Sequence, residues 1–422
     1  MKVLWVCNII PNQIAEVLKT DRSLGGGWIT GTLNSLEDVN DIEIAVSFPQ
    51  GLSNRLLKGQ ISEKNFYGFP ASKIKVGKYD KNIEKWFYKI IEDYRPDIIH
   101  IWGTEFAHSL AAARAFACPE RTICSIQGVC SAIAMHYRSG LSMSTVYGWT
   151  VRDILKLDNV WMKEKQFWQR GKIEKKTLET VSHVIGRTEF DMACTKAINQ
   201  DVTYHHCDET LRDIFYVKRN SWKNEECEKH SIFVTSSSYP IKGFHRVLEA
   251  LPGILKRFPN AKVYVVGKDP REIPFYRISK YYSYIKRLIK RLQLEDKVIY
   301  TGWLDEEAIC EQFLRANVFV SASSIENSSN SIGEAMILGV PIVASYVGGT
   351  MDILVDKKEG FLYQSDAPYM LAEYVCRIFE DENLAKSMGE CASEHAMEIY
   401  DKQQNAEQLQ NIYCSVYESS NK

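Results

Sequence analysis

The sequence has no long apolar run, no surplus of charge of either sign and no closely spaced pair of cysteines. No apolar stretch approaches the ~20 residues that a membrane-spanning helix needs, so we expect no transmembrane segment. The formal net charge is −1 over 422 residues, which gives no support to general nucleic-acid binding. The 11 cysteines are scattered without a CxxC pair, a pattern typical of buried thiols in a reducing cytoplasm.

Two familiar cofactor motifs are also missing. The run Gly25-Gly26-Gly27 is a poor dinucleotide fingerprint, because Thr30 stands where a GxGxxG pattern counted from Gly25 needs glycine. A dehydrogenase is therefore disfavoured. The group His205-His206-Cys207 has a spacing that fits no common zinc motif, so we predict no metal site and no cofactor.

The length and composition are those of a soluble globular protein of two domains. The chain is 45% hydrophobic and 25% charged. The run from Lys2 to Cys7 predicts a first strand, and because it is short we expect no signal peptide. The polar stretch 220–229 predicts a linker. We therefore place an α/β domain at 1–215 and a second at 230–394.

The segment 316–349 is the most informative part of the chain. It predicts a buried strand at 318–320, a polar loop holding Glu326, a helix at 332–338 carrying Glu334, and a second buried strand at 342–344. Ligands of open α/β sheets bind beyond the carboxyl ends of the strands. Both glutamates are therefore predicted to lie at a ligand-binding edge.

The loop and helix start between these glutamates suit a phosphate. A helix N-terminus offers N–H groups and a partial positive charge, and small residues let a phosphate approach the backbone. The candidate donor-binding residues of this loop are Asn327, Ser328, Ser329, Asn330, Ser331, Ile332 and Gly333. A nucleotide sugar would supply sugar hydroxyls to Glu326 and ribose hydroxyls to Glu334. The residues alone leave open a plainer alternative, in which Glu334 caps a helix and Glu326 is solvated.

The spacing of these residues resembles a known family. Glu326 and Glu334 stand in an E-x7-E arrangement, followed by Gly339, Pro341 and the pair Gly348-Gly349. This resembles the signature of retaining glycosyltransferases of family 4. The resemblance implies the GT-B fold, with two Rossmann-like domains facing each other across a cleft and a C-terminal helix, 395–420, crossing back to the first domain. Asn327, Ser328 and Ser329 depart from the family's frequent Gly-Phe-Gly.

The resemblance also implies roles in the predicted second domain. Lys242 matches a lysine that contacts the donor pyrophosphate, and Gly267 lies where the nucleobase commonly binds. Ser237 replaces the usual arginine, so we expect Arg187 or Arg246 to supply the second cation.

In the first domain the resemblance points to both substrates. Gly26 and Gly27 match a glycine loop near the donor phosphate, although a plain loop is the alternative. Gln127 stands where the family often has histidine and is a candidate catalytic residue together with Glu326, Lys242 and Arg187. The candidate residues on the acceptor side are His100, Trp102, Glu105, His108 and His136. For each histidine taken singly, a structural or solvated role is the alternative.

The resemblance implies a retaining glycosyltransferase, and we predict that it is metal-independent. It would move a sugar from a UDP- or GDP-sugar to a saccharide or lipid-linked saccharide, in cell-surface polysaccharide synthesis. Metal independence follows from the lack of an Asp-x-Asp pair. The alternatives are a nucleotide-sugar epimerase or hydrolase, or a catalytically silent nucleotide-sugar-binding subunit.

The expected location is cytoplasmic, with peripheral contact to the inner face of the membrane as an option. The basic and aromatic run 275–292 could lie on an anionic membrane, although a solvated helical face is the favoured interpretation. Trp149, Trp161 and Trp168 are interpreted as core or as the wall of an acceptor groove. No feature predicts an oligomeric state.

Overall fold

The computed structural model describes residues 1–20, 27–36, 42–61, 64–71 and 77–420. The chain divides into two compact units. The first consists of Met1–Ser131, Gln166–Leu211 and Tyr400–Lys422, and the second of Ala132–Lys165 and Arg212–Ile399.

A mostly parallel sheet forms the centre of the first unit. Its strands are β1 (Lys2–Val6), β2 (Glu43–Gln50), β3 (Leu57–Ile61), β4 (Lys64–Pro70), β5 (Ile98–Trp102), β6 (Thr122–Ser125), β7 (His183–Gly186) and β8 (Thr203–His206). They lie in the order β3-β4-β2-β1-β5-β6-β7-β8, and only β3 and β4 pair antiparallel. The central strands β1 and β5 are almost wholly buried, as expected for parallel strands covered on both faces.

The second unit contains a fully parallel sheet. Its strands are β9 (Glu228–Val234), β10 (Lys262–Val265), β11 (Val298–Tyr300), β12 (Ala316–Ser321), β13 (Ile342–Ser345) and β14 (Phe361–Tyr363). The order is β11-β10-β9-β12-β13-β14. Numbered within the unit, this is the order 3-2-1-4-5-6 of a Rossmann fold, so the direction of winding reverses between β9 and β12.

The helices among the described residues are given in chain order. The first nine are α1 (Asn12–Val17), α2 (Gly27–Ser35), α3 (Glu84–Tyr94), α4 (Ala107–Phe116), α5 (Cys130–His136), α6 (Met143–Val146), α7 (Val151–Lys156), α8 (Val160–Leu178) and α9 (Glu189–Ile198). The others are α10 (Asp213–Val217), α11 (Phe244–Arg257), α12 (Lys280–Arg291), α13 (Glu306–Arg315), α14 (Asn330–Leu338), α15 (Thr350–Ile353), α16 (Pro368–Glu380), α17 (Glu382–Ile399) and α18 (Lys402–Ser419). None of the described helices is both long enough and apolar enough to cross a bilayer.

The C-terminal helix α18 belongs to the first unit, as the sequence predicted. Leu409, Ile412 and Tyr413 are buried in the same cluster as the central strands. The indole Nε1–H of Trp5 donates to the hydroxyl of Tyr413 at 3.0 Å, which ties the first strand to the last helix. The return of the chain to its first unit is therefore confirmed.

The division differs from the predicted domain ranges in one long segment. Residues 132–165, placed by the sequence in the first domain, belong to the second unit. The buried carboxylate of Asp153 accepts the backbone N–H of Lys280 at 2.8 Å, and the ring of His245 contacts the carbonyl of Ser139 at 3.2 Å. Local patterns predict helices, but they do not reveal with which unit an inserted helix packs.

Candidate functional site

The winding reversal of the second sheet places two loops side by side. One follows β9 and ends with Lys242, and the other follows β12 and holds Glu326. The backbone N–H of Ser324 donates to the carbonyl of Ile241 at 2.7 Å, so the two loops are directly joined. A crevice at such a reversal is the usual ligand site of an open α/β sheet.

Lys242 and Glu326 meet across these loops. The Lys242 Nζ lies 2.7 Å from Glu326 Oε2, and the hydroxyl of Ser323 donates to the same oxygen at 2.9 Å. Burial alone would lower the pKa of Lys242, but the Glu326 carboxylate raises it above its ordinary value. Lys242 ends a 3₁₀ turn before Gly243, which has φ +66°, and a Cβ there would lie 1.7 Å from the carbonyl oxygen of Ala322.

The paired glycines after β13 contact the backbone carbonyl of Glu326. The N–H of Gly349 donates to the carbonyl of Glu326 at 3.1 Å. Gly348 has φ +51°, and a Cβ there would lie 1.9 Å from the same carbonyl oxygen. Both the conformation and the close approach therefore require glycine at 348.

The helix α14 begins four residues after Glu326. Its N-cap residue, Ser329, makes no side-chain capping bond, so the first amides of the helix are not capped by that hydroxyl. Asn330 and Ser331 are partly exposed, whereas the side chain of Ile332 and Gly333 are buried. In the preceding loop Asn327 and Ser329 are buried and Ser328 is partly exposed. Ile332 and Gly333 therefore offer a ligand little or no exposed surface.

Glu334 lies in the first turns of α14 and is paired with a residue that the sequence did not suggest. Nε and Nη2 of Arg212 contact Glu334 Oε1 at 2.8 and 2.7 Å. Burial raises the pKa of Glu334, and the nearby guanidinium partly offsets this rise. Arg212 directly precedes α10, 122 residues before Glu334 in the chain.

Gly267 and Ser237 lie at neighbouring strand ends in the second unit. Gly267, with φ +126°, follows β10, and its N–H donates to the carbonyl of Gly302 at 2.9 Å. Ser237, at the position where the family often has arginine, is fully buried. Arg246, one of the two predicted substitutes, is paired with Glu249 at 2.9 Å.

The predicted residues Arg187 and Gln127 meet a third polar residue, Glu209, at the carboxyl ends of β6, β7 and β8 in the first unit. Arg187 Nη1 lies 2.7 Å from Glu209 Oε2, and Gln127 Nε2 donates to Glu209 Oε1 at 3.0 Å. Arg187 also donates to the carbonyl of Ile126 at 3.2 Å. Trp102 borders the same small cavity. Arg187 is thus buried and neutralised by Glu209, a residue that sequence reasoning missed because it lies in the presumed connector.

A second buried cluster follows β5. Glu105 Oε1 accepts from Arg170 Nη2 at 2.6 Å. Glu174 accepts the N–H of Cys130 at 2.7 Å and both the N–H and the hydroxyl of Ser131, at 3.2 and 2.9 Å. Burial raises the pKa of Glu174 to about 7. Arg170 and Glu174 lie on one helix, α8, but nothing in their local spacing connects them with β5.

The three histidines predicted on the acceptor side occupy different environments. His100 is fully buried in β5, with its ring nitrogens 2.6 Å from the hydroxyl of Tyr413 and 2.7 Å from that of Ser125. His108 is buried and stacks on Phe106. Burial lowers the pKa of both rings to about 3. These positions favour structural roles for His100 and His108 over contact with an acceptor.

The remaining predicted residues are placed as follows. His136 is exposed at the end of α5, and its Nδ1 contacts the carbonyl of Ala132 at 2.9 Å. Gly27 is the first residue of α2, whereas Gly26 lies outside the described residues. His205 lies 3.1 Å from His183, ring nitrogen to ring nitrogen.

The second unit is similar to a known protein family. Residues 217–395 match the family model described as glycosyl transferases group 1. The N-acetyl-alpha-D-glucosaminyl L-malate synthase of Bacillus anthracis is 26% identical over 223 residues, which cover 52% of this chain and 55% of the relative. The chain spans about half the length of the curated relatives it matches.

Solved structures resemble the whole chain. The sucrose-phosphate synthase of Thermosynechococcus elongatus has a TM-score of 0.69 at 14% identity, covering 99% of this chain and 100% of that one. HepE of Anabaena, solved with UDP and glucose, has a TM-score of 0.65 at 16% identity, covering 98% and 100%. The two Rossmann-like units therefore have the GT-B fold. Within the second unit, residues 217–395 are similar to the group 1 glycosyltransferases.

Proposed function

We propose that the chain transfers a sugar, with retention of anomeric configuration, from a nucleotide diphosphate sugar to a saccharide or lipid-linked saccharide. The observation that carries this proposal is the pairing of Lys242 with Glu326 at 2.7 Å, at the winding reversal of the second sheet. The E-x7-E resemblance supports the retaining course. The structure of HepE with UDP and glucose supports a nucleotide sugar as the donor.

The diphosphate belongs at Lys242 and at the first turn of α14. As the bond to the sugar breaks, negative charge develops on the leaving phosphates and must be stabilised. Lys242 supplies a full positive charge, and the amides of Asn330 and Ser331 supply donors together with the dipole of α14. In this proposal these groups act in place of a metal held by an Asp-x-Asp pair.

The two glutamates bind hydroxyls on either side of the diphosphate. Glu326 is partly exposed, and a bound diphosphate would compete with it for Lys242, which frees its carboxylate for the sugar. Both Arg212 contacts of Glu334 fall on Oε1, so Oε2 is assigned to a ribose hydroxyl. In the first unit the carboxyl ends of β5 and β6, with Glu105 and Gln127, are assigned to the acceptor.

A panel of nucleotide sugars tests this proposal, incubated with and without saccharide or polyprenyl-linked acceptors. We expect nucleotide release only when an acceptor is present. Release without acceptor would instead show a hydrolase or epimerase, and binding without release would show a catalytically silent subunit. Nuclear magnetic resonance of the product would test retention directly.

The variant Glu326→Ala tests the site itself. We expect transfer to fall by about a hundredfold or more, because the sugar loses a positioned acceptor of hydrogen bonds, while the fold persists. Glu226→Ala is the matched control, since it removes a Lys–Glu pair of the same 2.7 Å length, with Lys223, in the segment before β9. Equal activity of the two variants would refute the role of Glu326.

A further inference from the structure

The helix α7 presents an apolar face to solvent. Ile154 is 60% and Leu155 79% exposed, and Val151, one turn earlier, is also exposed. These positions follow the i, i+3, i+4 spacing of one helix face. Asp153, on the same short helix, is fully buried. The helix is therefore amphipathic, but its carboxylate is buried and its apolar side chains face solvent.

This orientation is fixed by polar contacts on the buried side. Asp153 forms a capping box with Thr150 and accepts the N–H of Lys280, the first residue of α12, at 2.8 Å. Arg152 makes two contacts with Asp158, at 2.8 and 2.9 Å. Because these bonds would have to break for α7 to rotate, its apolar side chains are held outward.

A second exposed apolar element adjoins α7. Phe275 is 78% exposed, and its ring lies 5.6 Å from that of Tyr276, which is exposed as well. Tyr276 and Leu155 line the same cavity of about 840 Å³ in the second unit, so the loop before α12 and the helix α7 are neighbours. We call the exposed residues Val151, Ile154, Leu155, Leu157, Phe275 and Tyr276 the α7 patch.

Positive charge predominates beside the α7 patch. Lys156, Lys268 and Arg277 are exposed and line the same cavity, together with the acidic Asp269 and Glu272. The segment 268–291 contains eight lysines and arginines against two acidic residues. This excess of positive charge contrasts with the near-zero net charge of the whole chain.

The helix α12 contributes charge but no apolar face. Tyr281, Ile285 and Leu288 are buried, whereas Lys286 and Arg287 are exposed. The sequence had suggested that this run could itself lie on a membrane. Its apolar side is already packed inside the second unit, so only its positive side is available to a partner.

We propose that the α7 patch docks the protein onto an anionic lipid bilayer. Exposed aliphatic and aromatic side chains would enter the boundary between headgroups and acyl chains, and the surrounding lysines and arginines would contact lipid phosphates. Charge complementarity selects this occupant, because an apolar patch rimmed by lysine and arginine matches a surface that is apolar below and negative above. The inference does not depend on the proposed reaction, since docking requires no sugar.

Vesicle flotation tests this inference with the full chain and without nucleotide. We expect binding to phosphatidylcholine vesicles that contain about 30 mol% phosphatidylglycerol, weaker binding at high salt, and little binding to pure phosphatidylcholine. Leu155→Asp and Phe275→Asp should each lower the partition coefficient about tenfold or more. Lys156→Glu and Arg277→Glu should lower it in anionic vesicles only.

Two matched controls distinguish the effect of substitutions in the α7 patch from that of substitutions at exposed apolar residues elsewhere. Val217→Asp and Tyr369→Asp change residues that are 77% and 73% exposed outside the α7 patch. We expect both to bind vesicles like the wild type, and circular dichroism checks that every variant is folded. Equal loss in patch and control variants would overturn the proposal. A failure of the wild type to bind anionic vesicles would also overturn the proposal. If Leu155→Asp then abolishes self-association in sedimentation velocity, the α7 patch is a contact between copies of the chain.

Discussion

At the scale of single residues, two ion pairs of equal length serve different purposes. Lys242–Glu326 and Arg187–Glu209 both measure 2.7 Å, but only the first pair is partly exposed. A partly exposed lysine can exchange a carboxylate for a phosphate at little cost. A buried guanidinium cannot lose its partner without leaving an uncompensated charge. The first pair therefore suits binding, whereas the second suits the internal architecture of the first unit.

Glu209→Gln tests this distinction. We expect it to lower the free energy of unfolding of the first unit by about 3–5 kcal/mol, because Arg187 would remain buried without the carboxylate that its guanidinium contacts. Urea unfolding followed by tryptophan fluorescence measures this loss. The double variant Arg187→Met/Glu209→Leu should recover much of it, and a double variant no more stable than the single would contradict this account.

Glu174 makes the stability of the first unit depend on pH. Its pKa is about 7 in the folded protein, chiefly through burial, against about 4.3 in an unfolded chain. Between these values the folded state binds the extra proton, so the contribution of Glu174 is complete at low pH and is lost as pH rises toward and past 7.

The variant Glu174→Gln should remove this dependence. Relative to the variant, we expect the wild type to lose on the order of 3 kcal/mol of unfolding free energy between about pH 5 and 8. Denaturant unfolding across this range measures the difference. Parallel pH profiles would show that Glu174 is charged throughout.

At the scale of elements, the site depends on backbone that only glycine can adopt. A Cβ on Gly348 would clash with the carbonyl oxygen of Glu326. The placement of Glu326 is thus determined partly by a residue 22 positions away that has no side chain.

Gly348→Ala should impair transfer without unfolding the second unit. We expect at least a tenfold lower kcat/KM, because the loop of Glu326 must shift, together with about 1–2 kcal/mol of backbone strain. Gly302→Ala is the control for strain alone, since Gly302 has φ +76° but no atom within 4 Å of an added Cβ. Similar thermal shifts of the two variants with a lower kcat/KM in Gly348→Ala alone would support this account, and equal kcat/KM values would contradict it.

Most elements that build the site could be predicted from sequence, but their partners could not. The predicted strands 318–320 and 342–344 and the helix 332–338 correspond to β12, β13 and α14, because buried strands and a glycine-terminated helix leave local patterns. Arg212 was missed because its contact with Glu334 arises only from tertiary packing. The strands β3 and β4 also went unrecognised.

The tryptophans illustrate the same limit. For Trp149, Trp161 and Trp168 the sequence indicates core or groove wall. All three are exposed, which excludes the core and leaves the groove wall as a prediction. A helical spacing of aromatic residues shows that one face is apolar, but it does not show whether anything covers that face. The cover is a property of the tertiary structure and not of the local sequence.

At the scale of the whole molecule, the first unit includes the last helix of the chain. The hydroxyl of Tyr413 contacts Trp5 and His100, and Leu409, Ile412 and Val416 are buried beside it. The first sheet is thus covered in part by residues more than 300 positions away in sequence.

Removal of residues 401–422 should therefore destabilise the first unit selectively. We expect faster amide hydrogen exchange in peptides from β1 and β5, because the truncated chain exposes apolar surface and removes the Tyr413 hydroxyl that contacts His100 and Trp5. Peptides from β9 and β12 should keep their protection. Uniform loss of protection in both sheets would contradict this expectation.

The order in which the ribosome delivers the chain follows from this arrangement. The first unit receives segments that end at Ser131, at Leu211 and at the C-terminus, with pieces of the second unit made in between. During synthesis the early strands of the first unit remain only partly covered by their packing partners until nearly all of the remaining chain has been made. The second unit can close as soon as Ile399 has been synthesised, before the segment Tyr400–Lys422 of the first unit is available.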